Sequence, residues 1–113
     1  MKLEKEIQDK IQELQISEQT IQSILIQKQA FQIELNETDS ALEEIEKCKD
    51  EVYKIIGQIM LKSDKESLKK ELENKKKILE LRIKTIEKQE TLLKEKIDSL
   101  REKIEGELKA KAK

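Results

Sequence analysis

The sequence predicts a mainly α fold, a long antiparallel two-helix coiled coil whose halves are joined by a short β-hairpin that assembles with other subunits. Three observations predict it. Apolar residues recur every seven positions through both halves of the 113 residues, and a run of strand-forming residues interrupts them near the midpoint. The composition is 43% charged against 35% hydrophobic, with two aromatic residues, two glycines and no proline. That leaves too few apolar positions for an ordinary globular core but suits a coiled coil, in which one heptad stripe supplies the buried surface. One domain spanning residues 1–113 is expected.

The first helix, about residues 3–48, carries Ile7, Leu14, Ile21, Leu35 and Leu42 on one seven-residue phase, with Lys28 as its polar member. Leu3, Ile24, Phe31 and Ile45 lie on the companion phase. A stripe of this period keeps facing a partner helix only when the two supercoil.

The hairpin follows at about residues 51–62. Val52, Tyr53, Ile55, Ile56, Ile59, Met60 and Leu61 place seven apolar side chains in ten positions, and β-branched and aromatic residues favour strands. Gly57 and Gln58 suit the two central positions of a type II′ turn linking strands 52–56 and 59–62. A continuous helix is the alternative, which Gly57 disfavours. An isolated two-stranded hairpin is marginal in water, and each exposed apolar side chain forgoes roughly 1.5 to 3 kcal/mol of burial. Pairing with other copies or subunits is therefore expected.

The second helix, about residues 64–108, repeats the seven-residue phase with Leu72, Leu79, Ile86, Leu93 and Leu100, supported by Leu68, Ile83, Ile97, Ile104 and Leu108. Ser63 stands three residues before Glu66, the spacing of a capping box, and so marks the helix start. Gly106 offers a hinge or C-cap, and residues 109–113 read as a frayed tail. Folding the chain about Gly57-Gln58 brings together residues whose numbers sum to about 114: Leu14 with Leu100, Ile21 with Leu93, Leu35 with Leu79, and Leu42 with Leu72. Lys28 then meets Ile86, with Glu87 and Glu90 nearby. A register slipped by seven residues satisfies the heptad equally well, so the central turn decides between them.

The net charge of −1 conceals an imbalance, since residues 1–61 hold 7 Lys and 13 Asp or Glu while residues 62–113 hold 17 basic and 12 acidic side chains. Opposite charges favour antiparallel pairing of the halves, each exposed pair contributing about 0 to 1 kcal/mol. Lys alternates with Glu in the second half and stacking aromatics are lacking, which argues against nucleic acid as a partner. No run approaches the roughly 20 apolar residues that span a bilayer, and no signal-peptide pattern is present. The one cysteine, Cys48, has no internal disulfide partner. A cytoplasmic protein that does not enter the membrane is expected.

Chemistry is limited by what the chain lacks. Without histidine, triad-type nucleophilic catalysis and His-based metal sites are excluded, and Gly57 and Gly106 are too far apart for a phosphate-cradling loop. Carboxylates such as Glu43-Glu44 and Asp50-Glu51 read as solvated helix faces, and Cys48 as an ordinary thiol beside a helix end. No enzyme activity, cofactor or metal is expected.

Several segments are similar to the β-class subunit of prefoldin in its single-hairpin, archaeal form. They are the Gln-rich Ile26-Gln27-Lys28-Gln29, Glu34-Leu35-Asn36-Glu37, Ala41-Leu42-Glu43-Glu44, Glu51 through Gly57, and Arg82 through Glu90. The short link between the helices resembles the β rather than the α class, whose longer linker holds two hairpins. The resemblance implies a hexamer of four β-type and two α-type subunits, joined through β-barrels built from hairpins. It also implies a nucleotide-independent chaperone that holds unfolded polypeptides at its coil tips and passes them to a group II chaperonin. At the tips Leu3, Ile7, Ile11, Leu14, Ile16, Leu100, Ile104 and Leu108 are the candidate client contacts, with Ile16 off the seam and the others also serving to zip the coil. The hairpin set for assembly is Val52, Tyr53, Ile55, Ile56, Gly57, Ile59, Met60 and Leu61. A structural tether that binds one folded partner is the alternative function. The basic residues Lys109, Lys111 and Lys113 read as a solvated terminus or as a contact for an acidic chaperonin surface.

Overall fold

A computed structural model describes residues 2–49 and 51–112, with the side chains of Lys2, Leu3 and Ala112 outside the description. The order is α1 (Lys2–Lys47), β1 (Val52–Ile56), β2 (Ile59–Ser63) and α2 (Lys65–Ala112). Two long helices joined by a short antiparallel hairpin are thus the fold that the heptads and the central β-branched run predict.

The hairpin register pairs Val52 with Ser63, Tyr53 with Lys62, Lys54 with Leu61, Ile55 with Met60 and Ile56 with Ile59. Two residues remain for the turn. Gly57 has φ +60°, and no other described residue has positive φ. Positive φ at the first central position alone is the type II′ signature, whose twist matches that of the flanking strands.

Two ends differ from the sequence expectation. Ser63 is the last residue of β2, and Asp64 caps α2 instead: Ser67 donates to Asp64 Oδ2 through both its backbone N–H and its hydroxyl at 3.1 Å, and the Leu68 N–H donates to the Asp64 carbonyl at 2.9 Å. The strand claims Ser63 because Val52 lies opposite to pair with it, and a carboxylate at the next position caps as well as a hydroxyl while favouring the positive end of the helix dipole. At the other end α2 stays helical through Ala112 rather than fraying from Lys109, and Gly106 lies inside it without a break. Lys111 Nζ donates to Glu4 Oε1 at 2.6 Å, so this turn has a partner in α1. Lys113 lies outside the described residues.

The chain divides into two compact units. One comprises the residues up to Lys28 with those from Thr85 onward, and the other comprises residues 29–84. In the first, Ile7, Ile21, Ile86, Ile97, Leu100 and Ile104 are buried along the seam. In the second, Ile45, Leu79 and Ile83 are buried, Leu79 most completely at 2% exposure.

The seam also contains polar members that the apolar pattern passes over. Lys10 and Ser17 fall on the phase of Leu3 and Ile24, and Thr38 on that of Phe31 and Ile45; Ser17 and Thr38 are both buried. Thr38 Oγ1 donates to the Glu34 carbonyl at 2.8 Å, which satisfies its hydroxyl within α1. Lys10 pairs with Glu107, and Lys28 Nζ donates to Glu90 Oε1 at 3.1 Å. Asp39 Oδ1 stands 2.9 Å from Lys76 Nζ. Across the two helices, paired residue numbers sum to between 109 for Lys96 with Glu13 and 119 for Arg101 with Glu18, straddling the expected 114. Lys28 and Glu90 meet on the seam in this alignment, and a slip of seven residues would part them and set each against other neighbours.

Candidate functional site

The pleat sorts the hairpin side chains onto two faces, because cross-strand partners share a face and successive residues alternate. Val52, Lys54, Ile56, Ile59, Leu61 and Ser63 form one, and Tyr53, Ile55, Met60 and Lys62 form the other. On the first, Val52, Lys54 and Ser63 are half-buried, and Lys54 Nζ donates to Glu71 Oε2 of α2 at 2.7 Å. Ile56 and Ile59 beside the turn are exposed, as are Tyr53, Ile55 and Met60 on the second face. Ile55 is 68% and Ile59 62% exposed. Both faces therefore present apolar surface that a two-stranded sheet cannot cover.

Polar groups frame this surface. Tyr53 Oη donates to Glu51 Oε2 at 2.8 Å, and Lys62 Nζ stands 2.8 Å from Glu51 Oε1. These contacts hold the Glu51 carboxyl below the usual carboxylate range, Lys62 having the larger effect, and Glu51 in turn raises the Tyr53 hydroxyl. Where α1 ends, the Cys48 N–H donates to the Ile45 carbonyl at 3.2 Å, and Lys65 Nζ donates to the Cys48 carbonyl at 3.0 Å. The start of α2 is thus tied to the exit of α1. Beside this junction lies a cleft of about 600 Å³, lined by α1, β1 and α2 side chains including Ala41, Ile45, Cys48, Val52 and Leu72. Heptad reading cannot anticipate it, because it arises where the seam meets the hairpin.

The candidate client contacts separate by burial. Ile7, Leu100 and Ile104 are buried in the seam and Leu14 is half-buried. Ile16 is 56% exposed, in keeping with its position off the seam. Ile11 and Leu108, counted from sequence among the seam residues, are instead 38% and 49% exposed. They flank it, because each lies one position beyond a seam position, Lys10 or Glu107, and so at the groove edge. Leu3 lies in helical backbone, but its side chain is outside the described residues.

Among the described residues no helix is long and apolar enough to cross a membrane, and no group of three or more His, Cys, Asp or Glu stands close enough to hold a metal.

A family model described as prefoldin subunit matches residues 8–111. This chain belongs to the prefoldin family. Its structure is similar to the crystal structure of the prefoldin beta subunit from Thermococcus strain KS-1, with TM-score 0.81 and 35% sequence identity over 89% of this chain and 90% of that one. No curated protein sequence matches it. Prefoldin is a family of chaperone subunits rather than of enzymes, and its members assemble with other prefoldin subunits. The hairpin of this prefoldin chain leaves Tyr53, Ile55, Ile56, Ile59, Met60 and Leu61 exposed.

Proposed function

We propose that this prefoldin chain is a β-type subunit of a hexamer with two α-type and four β-type members, working in the cytoplasm as a nucleotide-independent chaperone. Its hairpin joins those of neighbouring subunits in a β-barrel base. Its helix ends hold unfolded polypeptides and pass them to a group II chaperonin. The observation that carries this reading is the exposed, two-faced apolar hairpin, which supplies a reason to assemble in a chain with family membership over residues 8–111. Residues 1–113 act as one prefoldin-like domain, and the client contacts are sought among the tip residues, with Ile11, Ile16 and Leu108 the accessible ones. Unfolded chains expose apolar segments, and an apolar residue already in solvent meets them without unzipping the seam.

Replacing Ile55 and Ile59 together by Asp tests the assembly step. The complex with the companion prefoldin subunit should fall to smaller species by light scattering while helix content by circular dichroism is retained, and suppression of aggregation should fall with it. A full-sized oligomer that survives the substitution overturns the proposal.

A further inference from the structure

We infer that the seam ion pairs Lys10–Glu107 and Lys28–Glu90 are the register-setting residues of this coil, holding its helices in one alignment at a cost in stability. All four charges occupy heptad positions that are otherwise mostly aliphatic. Lys28 lies midway between Ile21 and Leu35, Glu90 midway between Ile83 and Ile97, Lys10 fourteen residues before Ile24, and Glu107 seven beyond Leu100. Lys28 Nζ donates to Glu90 Oε1 at 3.1 Å, and Lys94 Nζ stands 3.4 Å from Oε2 of that carboxylate, whose side chain is 9% exposed. Lys10 pairs with Glu107 Oε1, while Glu107 Oε2 is buried without a hydrogen-bond partner. Charges taken into a seam lose hydration that one contact does not fully restore, and an aliphatic pair in their place is often as stable or more so. Stability therefore gives no reason for four ions there.

Alignment gives one. The residue numbers sum to 118 for Lys28 with Glu90 and to 117 for Lys10 with Glu107, so both pairs belong to the same register. A slip of one heptad in one direction sets Lys28 against Ile83, Glu90 against Ile21 and Lys10 against Leu100. In the other direction Lys28 meets Ile97, Glu90 meets Leu35 and Glu107 meets Ser17. Either slip leaves charges in the seam without a counter-charge, whereas aliphatic positions accept one another in all three alignments. The hairpin alone does not forbid a slip. Moving one helix by seven residues displaces it about 10.5 Å, and the four residues between Lys47 and Val52 reach up to about 14 Å when extended. The turn pairs the strands, and the ion pairs align the helices.

The test uses the full chain with Cys48→Ser, so that introduced cysteines are its only thiols. Glu18→Cys with Arg101→Cys marks the observed alignment, since those side chains meet at 2.8 Å. Glu18→Cys with Leu108→Cys and Glu13→Cys with Gln89→Cys mark the two slips, each offset by seven residues from an observed contact. A short bismaleimide joins the cysteines, and only product of single-chain mass is scored. With the ion pairs intact, positions 18 and 101 alone should link. In a chain carrying Lys10→Leu, Lys28→Leu, Glu90→Leu and Glu107→Leu together, the urea midpoint should hold or rise. Linkage of 18 with 101 should fall to about half and a slipped pair should link, because alignments of similar free energy are similarly populated. Lys28→Leu alone leaves Glu90 with Lys94 only and should lower the midpoint. If circular dichroism shows that the fourfold variant does not fold, Lys28→Leu with Glu90→Leu is read in the same way. Exclusive linkage of 18 with 101 in the aliphatic variant overturns the inference, and so does a midpoint below that of the chain with its ion pairs intact.

Discussion

At the scale of single residues, the seam is where apolar and polar neighbours do different things. Leu79 is 2% exposed, so Leu79→Ala should cost about 2 to 5 kcal/mol by urea denaturation, through lost transfer free energy and the cavity left behind. Glu90 is buried among seam residues, and its carboxyl is held below the usual range chiefly by the hydrogen bond from Lys28, with Lys94 adding to it. Lys111, Lys69 and Lys62 do the same for Glu4, Glu46 and Glu51. A lowered folded-state pKa stabilises the fold above the unfolded value, and that contribution disappears as pH falls through the folded one. Lys69 and Lys76 are raised by Glu46 and Asp39, so their contribution is present below the unfolded lysine value and lost above it. Thermal melts should therefore show a plateau bounded by decline below about pH 4.3 and above about pH 10.4. Glu90→Gln should flatten the acid limb, and an acid limb unchanged by it would contradict the role given to Lys28 and Glu90. The sequence displayed Lys28 as a polar interruption with Glu90 nearby, but Ser17, Thr38 and the Lys10–Glu107 pair were hidden because a search for apolar residues discards them.

Among the elements, the hairpin was the most legible and the helix starts the least. Gly57 announces its turn, since few other residues tolerate φ +60° at that position. Open space surrounds Gly57, so Gly57→Ala meets no clash and should cost about 1 to 3 kcal/mol through backbone strain alone. Loss of assembly at elevated temperature, with little change in helix content, would report that cost. Sequence spacing points to Ser63, one residue before the true cap of α2, because Ser63-Asp64 offers two acceptable caps in succession and only cross-strand pairing with Val52 decides which is free. Asp64→Ala should cost about 0.5 to 2 kcal/mol while Ser63→Ala stays near neutral by chemical denaturation. The reverse order would restore Ser63 as the cap. Ile11 and Leu108 read as seam residues for a related reason, since an aliphatic residue one position off a heptad phase resembles one that packs, and the structure places both outside the seam.

For the whole molecule, charge and apolar surface have separate locations. Within residues 29–47 of α1 there are six carboxylates and one lysine, and within residues 65–84 of α2 there are eight basic side chains and four carboxylates. Lys69 with Glu46, Lys75 with Glu34 and Lys76 with Asp39 join these stretches. Such pairs select the antiparallel partner and its register, while burial of residues such as Leu79 and Ile83 provides most of the stabilisation. Fold and family were readable because heptads, a hairpin and a turn glycine each constrain the backbone in a way that composition reveals. Client contacts were not, because zipping a coil and meeting an unfolded chain call for the same aliphatic residue types, and only exposure separates Ile11 from Ile7.

The most direct test is suppression of aggregation of a chemically unfolded protein, without nucleotide, by the chain reconstituted with its companion prefoldin subunit. It is run beside a complex carrying Ile11→Ser, Ile16→Ser and Leu108→Ser, exposed positions whose change spares the seam. The intact complex should suppress aggregation, and the altered one should assemble to the same size but lose most of that effect. A correctly sized intact complex that suppresses nothing would contradict the chaperone account and favour a tether, and undiminished suppression by the altered complex would move the client surface away from the helix ends.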